Sequence, residues 1–116
     1  MSYHTQCVKI HLKPNSLDRV REWAQTLNDS RRDEALATLA DESVVLEAAF
    51  LDRTAEGDFL IYIMKAESFD KAKQVAESSL HEIDAYHRAF KRDTWGTRTE
   101  LELLLDLDRT DERSAE

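Results

Sequence analysis

The chain has 116 residues, of which 41% are hydrophobic, and this is enough for one domain with a single apolar core. Its formal net charge of −8 argues against nucleic acid as a partner, because affinity for phosphate groups requires a basic face. The one cysteine, Cys7, cannot form a disulfide within the chain, so a cytoplasmic location is expected. No apolar run approaches the roughly 20 residues of a membrane-spanning helix, and no membrane partner is expected.

The first half of the chain predicts a strand, two helices and a second strand. Apolar and polar side chains alternate over residues 4–13, as in a strand with one buried face. Beyond Pro14, apolar residues at helical spacing predict a helix over 17–28, and a second helical stretch follows over about 29–41. The second strand is predicted over 44–53.

This second strand has two unequal faces. One alternating set is fully apolar and is expected to face the core: Val44, Leu46, Ala48 and Phe50. The other set is mixed and includes Val45, Glu47 and Leu51. We therefore expect Val45 and Leu51 to lie on the outer face of the sheet.

After a turn at residues 55–58, the second half repeats the same order. Residues 59–64 are apolar on both alternating sets, which is typical of a central strand that is covered on both faces. Ser68 is the predicted N-cap of a third helix, and a longer helix is predicted over 80–92. The doubled helical connection therefore occurs twice.

Residues 99–107 alternate most regularly of all and predict the last strand, with four leucines on one face. The charged tail that follows, residues 109–116, has almost nothing to bury and is expected to be disordered. The predicted unit is thus a single α+β domain over residues 1–108, with a ferredoxin-like βαββαβ antiparallel sheet and doubled crossover helices on one face.

In this topology the first and last strands are neighbours. Three basic residues would then lie opposite three acids on the outer face: Lys9, His11 and Lys13 opposite Glu100, Glu102 and Asp106. Leu104 would be exposed on the same face, so we expect a second copy of the chain to cover it. A solvated face is the alternative.

Stereotyped catalytic motifs do not occur in the sequence. Gly57 and Gly96 are the only two glycines, so neither a Walker loop nor a dinucleotide fingerprint can be built. The four histidines have no spacing that indicates a metal site. No cofactor and no metal are therefore expected, and no catalytic residue can be assigned.

The predicted last helix carries the candidate ligand site. On a helical wheel, one arc contains Leu80, Ile83, Tyr86, His87 and Phe90, and the opposite arc contains His81, Asp84, Arg88 and Lys91. His87 is therefore expected to point between helices and sheet, as a ligand contact or as a hydrogen-bonded core histidine. Tyr86 and Tyr62 are expected nearby. Trp95 either closes the mouth of a cavity or completes the core.

Residues 3–107 resemble the dimeric α+β barrel proteins, in which two ferredoxin-like subunits pack sheet against sheet. The pairs Ile83-Asp84 and His87-Arg88, with Phe90 before Trp95, further resemble a small bacterial family of unknown function. The resemblance implies a homodimer.

The barrel superfamily includes cofactor-independent quinone monooxygenases, muconolactone isomerases and haem-degrading monooxygenases, whose ligands occupy the cleft between helices and sheet. The haem-degrading group also uses an asparagine of the sheet and a tryptophan before the histidine, whereas here Asn15 lies in a turn and Trp95 follows His87. These differences set the chain apart from the haem-degrading group, and the resemblance to the superfamily as a whole implies small-molecule binding in the cleft. The alternatives are a monooxygenase or isomerase-like enzyme and a purely structural dimeric interaction module.

Overall fold

In the computed structural model, which describes residues 2–109, four strands and four helices follow one another. They are β1 (His4–Leu12), α1 (Leu17–Gln25), α2 (Arg32–Asp41), β2 (Val44–Thr54), β3 (Gly57–Ala66), α3 (Phe69–Ser78), α4 (Glu82–Thr94) and β4 (Trp95–Glu100), with one π-helical turn (Thr26–Ser30) between α1 and α2. The strands form an antiparallel sheet in the order β2-β3-β1-β4. The predicted ferredoxin-like fold is confirmed. Within residues 2–109, no helix has the length and apolarity needed to cross a membrane.

The apolar core lies between the helices and one face of the sheet. The sheet contributes Val8, Ile10, Leu12, Leu60 and Tyr62. Val20 and Trp23 of α1 pack on them together with Phe90 of α4, whose ring stacks on Trp23 with the ring centroids 4.4 Å apart. Because alternate strand residues share a face, the intervening residues form the opposite side of the sheet, called the outer face below: Thr5, Cys7, Lys9 and His11 of β1 and Phe59, Ile61, Ile63 and Lys65 of β3.

A β-bulge at Val45 decides which side chains of β2 face the helices. Val44 lies opposite Ala66, but Leu46 lies opposite Lys65, so one extra residue interrupts the pairing. Such an insertion shifts the alternation by one position and sends each later side chain to the other face. Glu47 therefore faces the helices, opposite Met64.

The predicted orientation of β2 is accordingly wrong beyond Val44. Leu46, Ala48 and Phe50 lie on the outer face, because their partners on β3 are Lys65, Ile63 and Ile61. Leu51 lies opposite Leu60 on the helix face and not on the outer face as predicted. Val45 is exposed, as expected, but it is the bulged residue.

The last strand also differs from its prediction. β4 begins at Trp95, directly after α4, and ends at Glu100. Glu100 lies opposite Val8, a core residue, while Thr99 lies opposite Lys9. The predicted rows of opposite charge on the outer face are therefore wrong: Lys9, His11 and Lys13 do not lie opposite Glu100, Glu102 and Asp106.

Residues 101–107, predicted as most of the last strand, form no strand of the sheet, and neither does residue 108. The carboxylates of Asp106 and Asp108 contact the ammonium group of Lys65, and Asp106 also accepts a hydrogen bond from Thr5 Oγ1 at 2.8 Å. Lys65 and Thr5 are paired on the outer face, so these contacts hold the segment across that face. The predicted disordered tail lies outside the described residues, apart from its first residue.

The hairpin that joins β2 to β3 depends on Gly57. Its φ of +131° is a conformation that residues with a Cβ rarely adopt, and an added Cβ would lie 2.7 Å from His11 Nε2. Thr54 Oγ1 donates a hydrogen bond to the Gly57 carbonyl at 2.9 Å, which closes the turn. The turn therefore helps to fix the register in which β2 and β3 pair.

We predict that Gly57→Ala lowers the free energy of unfolding by about 1 to 3 kcal/mol, because the backbone strain cannot relax. Urea denaturation measures this difference. In a His11→Ala background, the added Cβ no longer meets the imidazole, but the backbone at residue 57 keeps its unfavourable φ. Gly57→Ala should therefore still lower the free energy of unfolding in that background, by a smaller amount. A variant as stable as the wild type would contradict the role given to this turn.

Candidate functional site

An open cleft of about 1080 Å³ lies between the helices and the sheet. Small side chains line it where larger ones would fill the space: Ala24, Ala35, Ala49, Ala72 and Ala76. Trp23, Tyr62 and Trp95 form aromatic walls, and His87 and Lys91 of α4 complete one side. The structure thus brings three of the four predicted ligand-binding residues, namely His87, Tyr62 and Trp95, to one cleft. Ligand binding by them stays a prediction.

The fourth predicted residue, Tyr86, does not line this cleft. It packs against the main core, and the guanidinium group of Arg31 lies 5.9 Å from its ring centroid. Successive residues on a helix point about 100° apart, so Tyr86 and His87 face different surroundings. Leu80, predicted on the same inward arc, precedes α4 and is 99% exposed.

His87 is held by the indole of Trp23. Trp23 Nε1 donates a hydrogen bond to His87 Nδ1 at 3.1 Å, and the two rings stack with centroids 5.7 Å apart. Burial, together with the nearby charges of Lys91 and Arg88, lowers the pKa of His87 to about 3. The imidazole is therefore neutral at pH 7, and because Nδ1 is an acceptor, Nε2 carries the proton. His87 is both a core histidine and a potential donor to a molecule in the cleft.

Two further donors at the cleft have no partner within residues 2–109. Tyr62 Oη and Trp95 Nε1 are buried and make no hydrogen bond there. The Tyr62 residue is only 4% exposed, and its ring lies 6.4 Å from that of His87 and 5.7 Å from that of Trp95. A buried polar group without a partner costs about 1 to 3 kcal/mol, so such groups usually meet water or a ligand.

Sequence reasoning missed the charged residues of this cleft. Asp84, Arg88 and Lys91, assigned to the opposite arc of α4, all line it. They reach it because the cleft is open and takes in a broader arc of the helix than a closed core would. Glu47 was missed because the bulge that turns it inward has no signature in the alternation. The available signal was its position as the single acid within the otherwise apolar run of residues 44–51.

Glu47 and Glu42 stand out electrostatically. Burial raises the pKa of Glu47 to about 7, although the Lys91 ammonium group opposes this shift. Burial and the neighbouring Asp84 and Glu47 raise the pKa of Glu42 to about 7. Burial also lowers the pKa of Lys91, against the attraction of both glutamates. The cleft wall therefore holds carboxyl groups that exchange protons near neutral pH.

The raised pKa of Glu47 predicts a pH-dependent stability. The folded state binds this proton more tightly than the unfolded state, whose pKa is about 4.5, so the stabilisation is complete below that pH and is lost as the pH rises through about 7. The free energy of unfolding of Glu47→Gln minus that of the wild type should therefore be larger above pH 7 than below pH 4.5. Each unit of pKa difference corresponds to about 1.4 kcal/mol.

Urea denaturation of both proteins across this pH range measures the difference, and His87 titrates in both, so its contribution largely cancels. Glu22→Gln, on the exposed side of α1, is the matched control and should show no such trend. A stability difference for Glu47→Gln that does not change with pH would contradict the prediction.

Solved structures share this fold at low sequence identity. An uncharacterized NIPSNAP-like domain protein from Burkholderia xenovorans has a TM-score of 0.59 and 16% identity, covering 90% of this chain and 85% of its own. Rv0793 from Mycobacterium tuberculosis has a TM-score of 0.52 and 14% identity, covering 92% and 100%. A protein from Bacteroides fragilis NCTC 9343, described as dimeric, of unknown function and with a ferredoxin-like fold, has a TM-score of 0.50 and 16% identity, covering 85% and 92%.

At these identities the likeness concerns the fold alone. No curated protein matches the chain. Residues 3–112 match the model of a family of unknown function, DUF6176, and this range includes every strand and helix described above. The protein therefore belongs to the DUF6176 family.

Proposed function

We propose that this protein is a homodimer that binds a small organic molecule in the cleft between its helices and its sheet. The observation that carries the proposal is the hydroxyl of Tyr62, a residue of the cleft wall, which is buried and has no hydrogen-bond partner among residues 2–109. The cleft volume of about 1080 Å³ slightly exceeds the range of roughly 300 to 1,000 Å³ that is typical of small-molecule sites. A structural module with a filled core would have no use for this space.

The polar atoms of the cleft indicate what kind of molecule fits. Tyr62 Oη, Trp95 Nε1 and His87 Nε2 can each donate a hydrogen bond, and the rings around them are aromatic. A planar or aromatic compound with an oxygen acceptor satisfies both features, because its ring stacks while its oxygen accepts. Aromatic ketones are the simplest members of this class.

We predict that phenylacetone binds in the cleft and shifts the indole N–H signals of the chain's two tryptophans, Trp23 and Trp95, in a proton–nitrogen NMR spectrum. Tyr62→Phe should weaken binding about threefold to tenfold, because one hydrogen bond contributes about 0.5 to 1.5 kcal/mol. Titrations followed by the indole signals give the dissociation constants.

Tyr86→Phe is the matched control, since its hydroxyl is also buried without a partner among the described residues but does not line the cleft. Its dissociation constant should equal that of the wild type. Equal weakening by both substitutions, or no shift of either indole signal on adding phenylacetone, would contradict the proposed site.

Dimerisation is proposed through the outer face of the sheet. Phe50 is 59% exposed and Leu46 45% exposed on this face, where Phe50 pairs with Ile61. Leu104 and Leu107, in the segment that crosses the same face, are 85% and 86% exposed. Sheets pack face to face when apolar residues cover their facing surfaces, and a second copy of the chain supplies the same surface. The dimeric protein from Bacteroides fragilis, of similar fold, supports this choice of partner.

We predict that the wild type sediments as a dimer at micromolar concentration and that Phe50→Glu shifts it to monomer, because the charge would be buried in the interface. Leu80→Glu makes the same kind of change at a leucine that is 99% exposed and lies off the sheet. This control should stay dimeric. A monomeric wild type, or loss of the dimer in both variants, would rule out the proposed interface.

A further inference from the structure

We propose that the cleft is an acid–base site for enolisable carbonyl compounds, in which Glu47 removes a proton next to a carbonyl group that Tyr62 and His87 hold. This inference rests on the proposed function, because it requires a small molecule in the same cleft. It names enolisable carbonyl compounds as the class of ligand and gives Glu47 the role of a base. Neither the family nor the similar structures assign that ligand class or that role.

The position of Glu47 is the first step of the argument. Glu47 lies opposite Met64, and Tyr62 is the next residue of β3 on the same face. Diagonal neighbours of this kind on adjacent strands are about 7 to 8 Å apart, so the two side chains lie beside the same part of the cleft. Both residues line the cleft, so a ligand there can contact a carboxyl group on one side and a hydroxyl group on the other.

The second step concerns the oxygen of the carbonyl group. Tyr62 Oη has no partner within residues 2–109, and His87 carries its proton on Nε2 because Nδ1 accepts from Trp23. Their ring centroids lie 6.4 Å apart and both residues line the cleft, so the two donors belong to the same part of its wall. Two fixed donors stabilise the negative charge that develops on a carbonyl oxygen when the neighbouring carbon loses a proton.

The third step concerns the base. Burial raises the pKa of Glu47 to about 7, with Lys91 and Asp84 as the charged neighbours that act on it. A general base works best when its pKa lies near the working pH, because it is then ionised often enough and still binds a proton well. Glu42 and Lys91 also line the cleft and share the same electrostatic environment.

The reaction balances without an oxidant or a cofactor. The Glu47 carboxylate takes a proton from the carbon next to the carbonyl group. The electron pair of the broken C–H bond forms a C=C bond, and the π pair of the C=O bond moves to the oxygen held by Tyr62 and His87. When the carboxyl proton exchanges with solvent before it returns to the same carbon, the ketone is re-formed with a hydrogen from solvent. In a conjugated substrate, return to a more distant carbon moves the double bond.

Hydrogen exchange of phenylacetone in heavy water tests the inference. The wild type should accelerate the loss of the benzylic proton signal in NMR at neutral pH. Glu47→Gln keeps the shape of the side chain but removes the base, and should slow the catalysed exchange about 100-fold or more while phenylacetone still shifts the indole signals. Glu47→Asp, which keeps a carboxylate, should retain part of the rate.

Two further variants sharpen the test. Tyr62→Phe should lower the catalysed rate more than the affinity, because its hydrogen bond strengthens as charge develops on the oxygen. Glu22→Gln, on the exposed side of α1, should match the wild type in rate and affinity.

The possible results separate the inference from the function on which it rests. Binding of phenylacetone without accelerated exchange, or equal exchange by Glu47→Gln and the wild type, would overturn the acid–base role and leave the binding site in place. Absence of any indole shift in the wild type would instead contradict the binding site itself.

Discussion

The single extra residue at the start of β2 is the constraint on which both faces of the sheet depend. Without the bulge at Val45, Leu46 and Phe50 would point into the core and Glu47 would point outward, as simple alternation requires. With it, an acid enters the space beneath the helices and two large apolar side chains enter the outer face. The cleft and the proposed dimer surface therefore have a common origin, and removing either feature by a shift of register would remove the other.

An inward acid is tolerable because the space beside it is not a filled core. Burial still raises the pKa of Glu47 to about 7, so the carboxyl group avoids part of the cost by holding a proton. The positive charge of Lys91, on the facing helix α4, offsets part of the remaining cost of burying the carboxyl group. The His87 imidazole likewise stays neutral and satisfies the Trp23 indole. Glu47 and Glu42 thus remain poised between protonation states near pH 7, a condition that well-packed structural residues rarely need.

The order of elements was predictable because it follows from local periodicity: alternation predicts strands, and helical spacing predicts helices. The inward direction of His87 was predictable for the same reason. The faces of β2 were not, because a bulge depends on how two strands pair and leaves the apolar pattern intact. Residues 101–107 misled the prediction in a different way. Their leucines and acids alternate like a strand, but contacts of Asp106 and Asp108 with Lys65 compete with pairing in the sheet.

β2 is also an edge strand, with β3 on one side and no strand of the described chain on the other. An edge strand has unpaired backbone groups and fewer contacts to hold it, and a bulge weakens its pairing further. In the proposed homodimer, Phe50 on the outer face of β2 would pack against a second copy, and Glu47 lies three residues away on the other face. Packing of a second copy on the outer face would therefore stabilise β2, the strand that positions Glu47. Dimerisation would in this way affect the geometry of the cleft without any contact between a partner residue and the ligand.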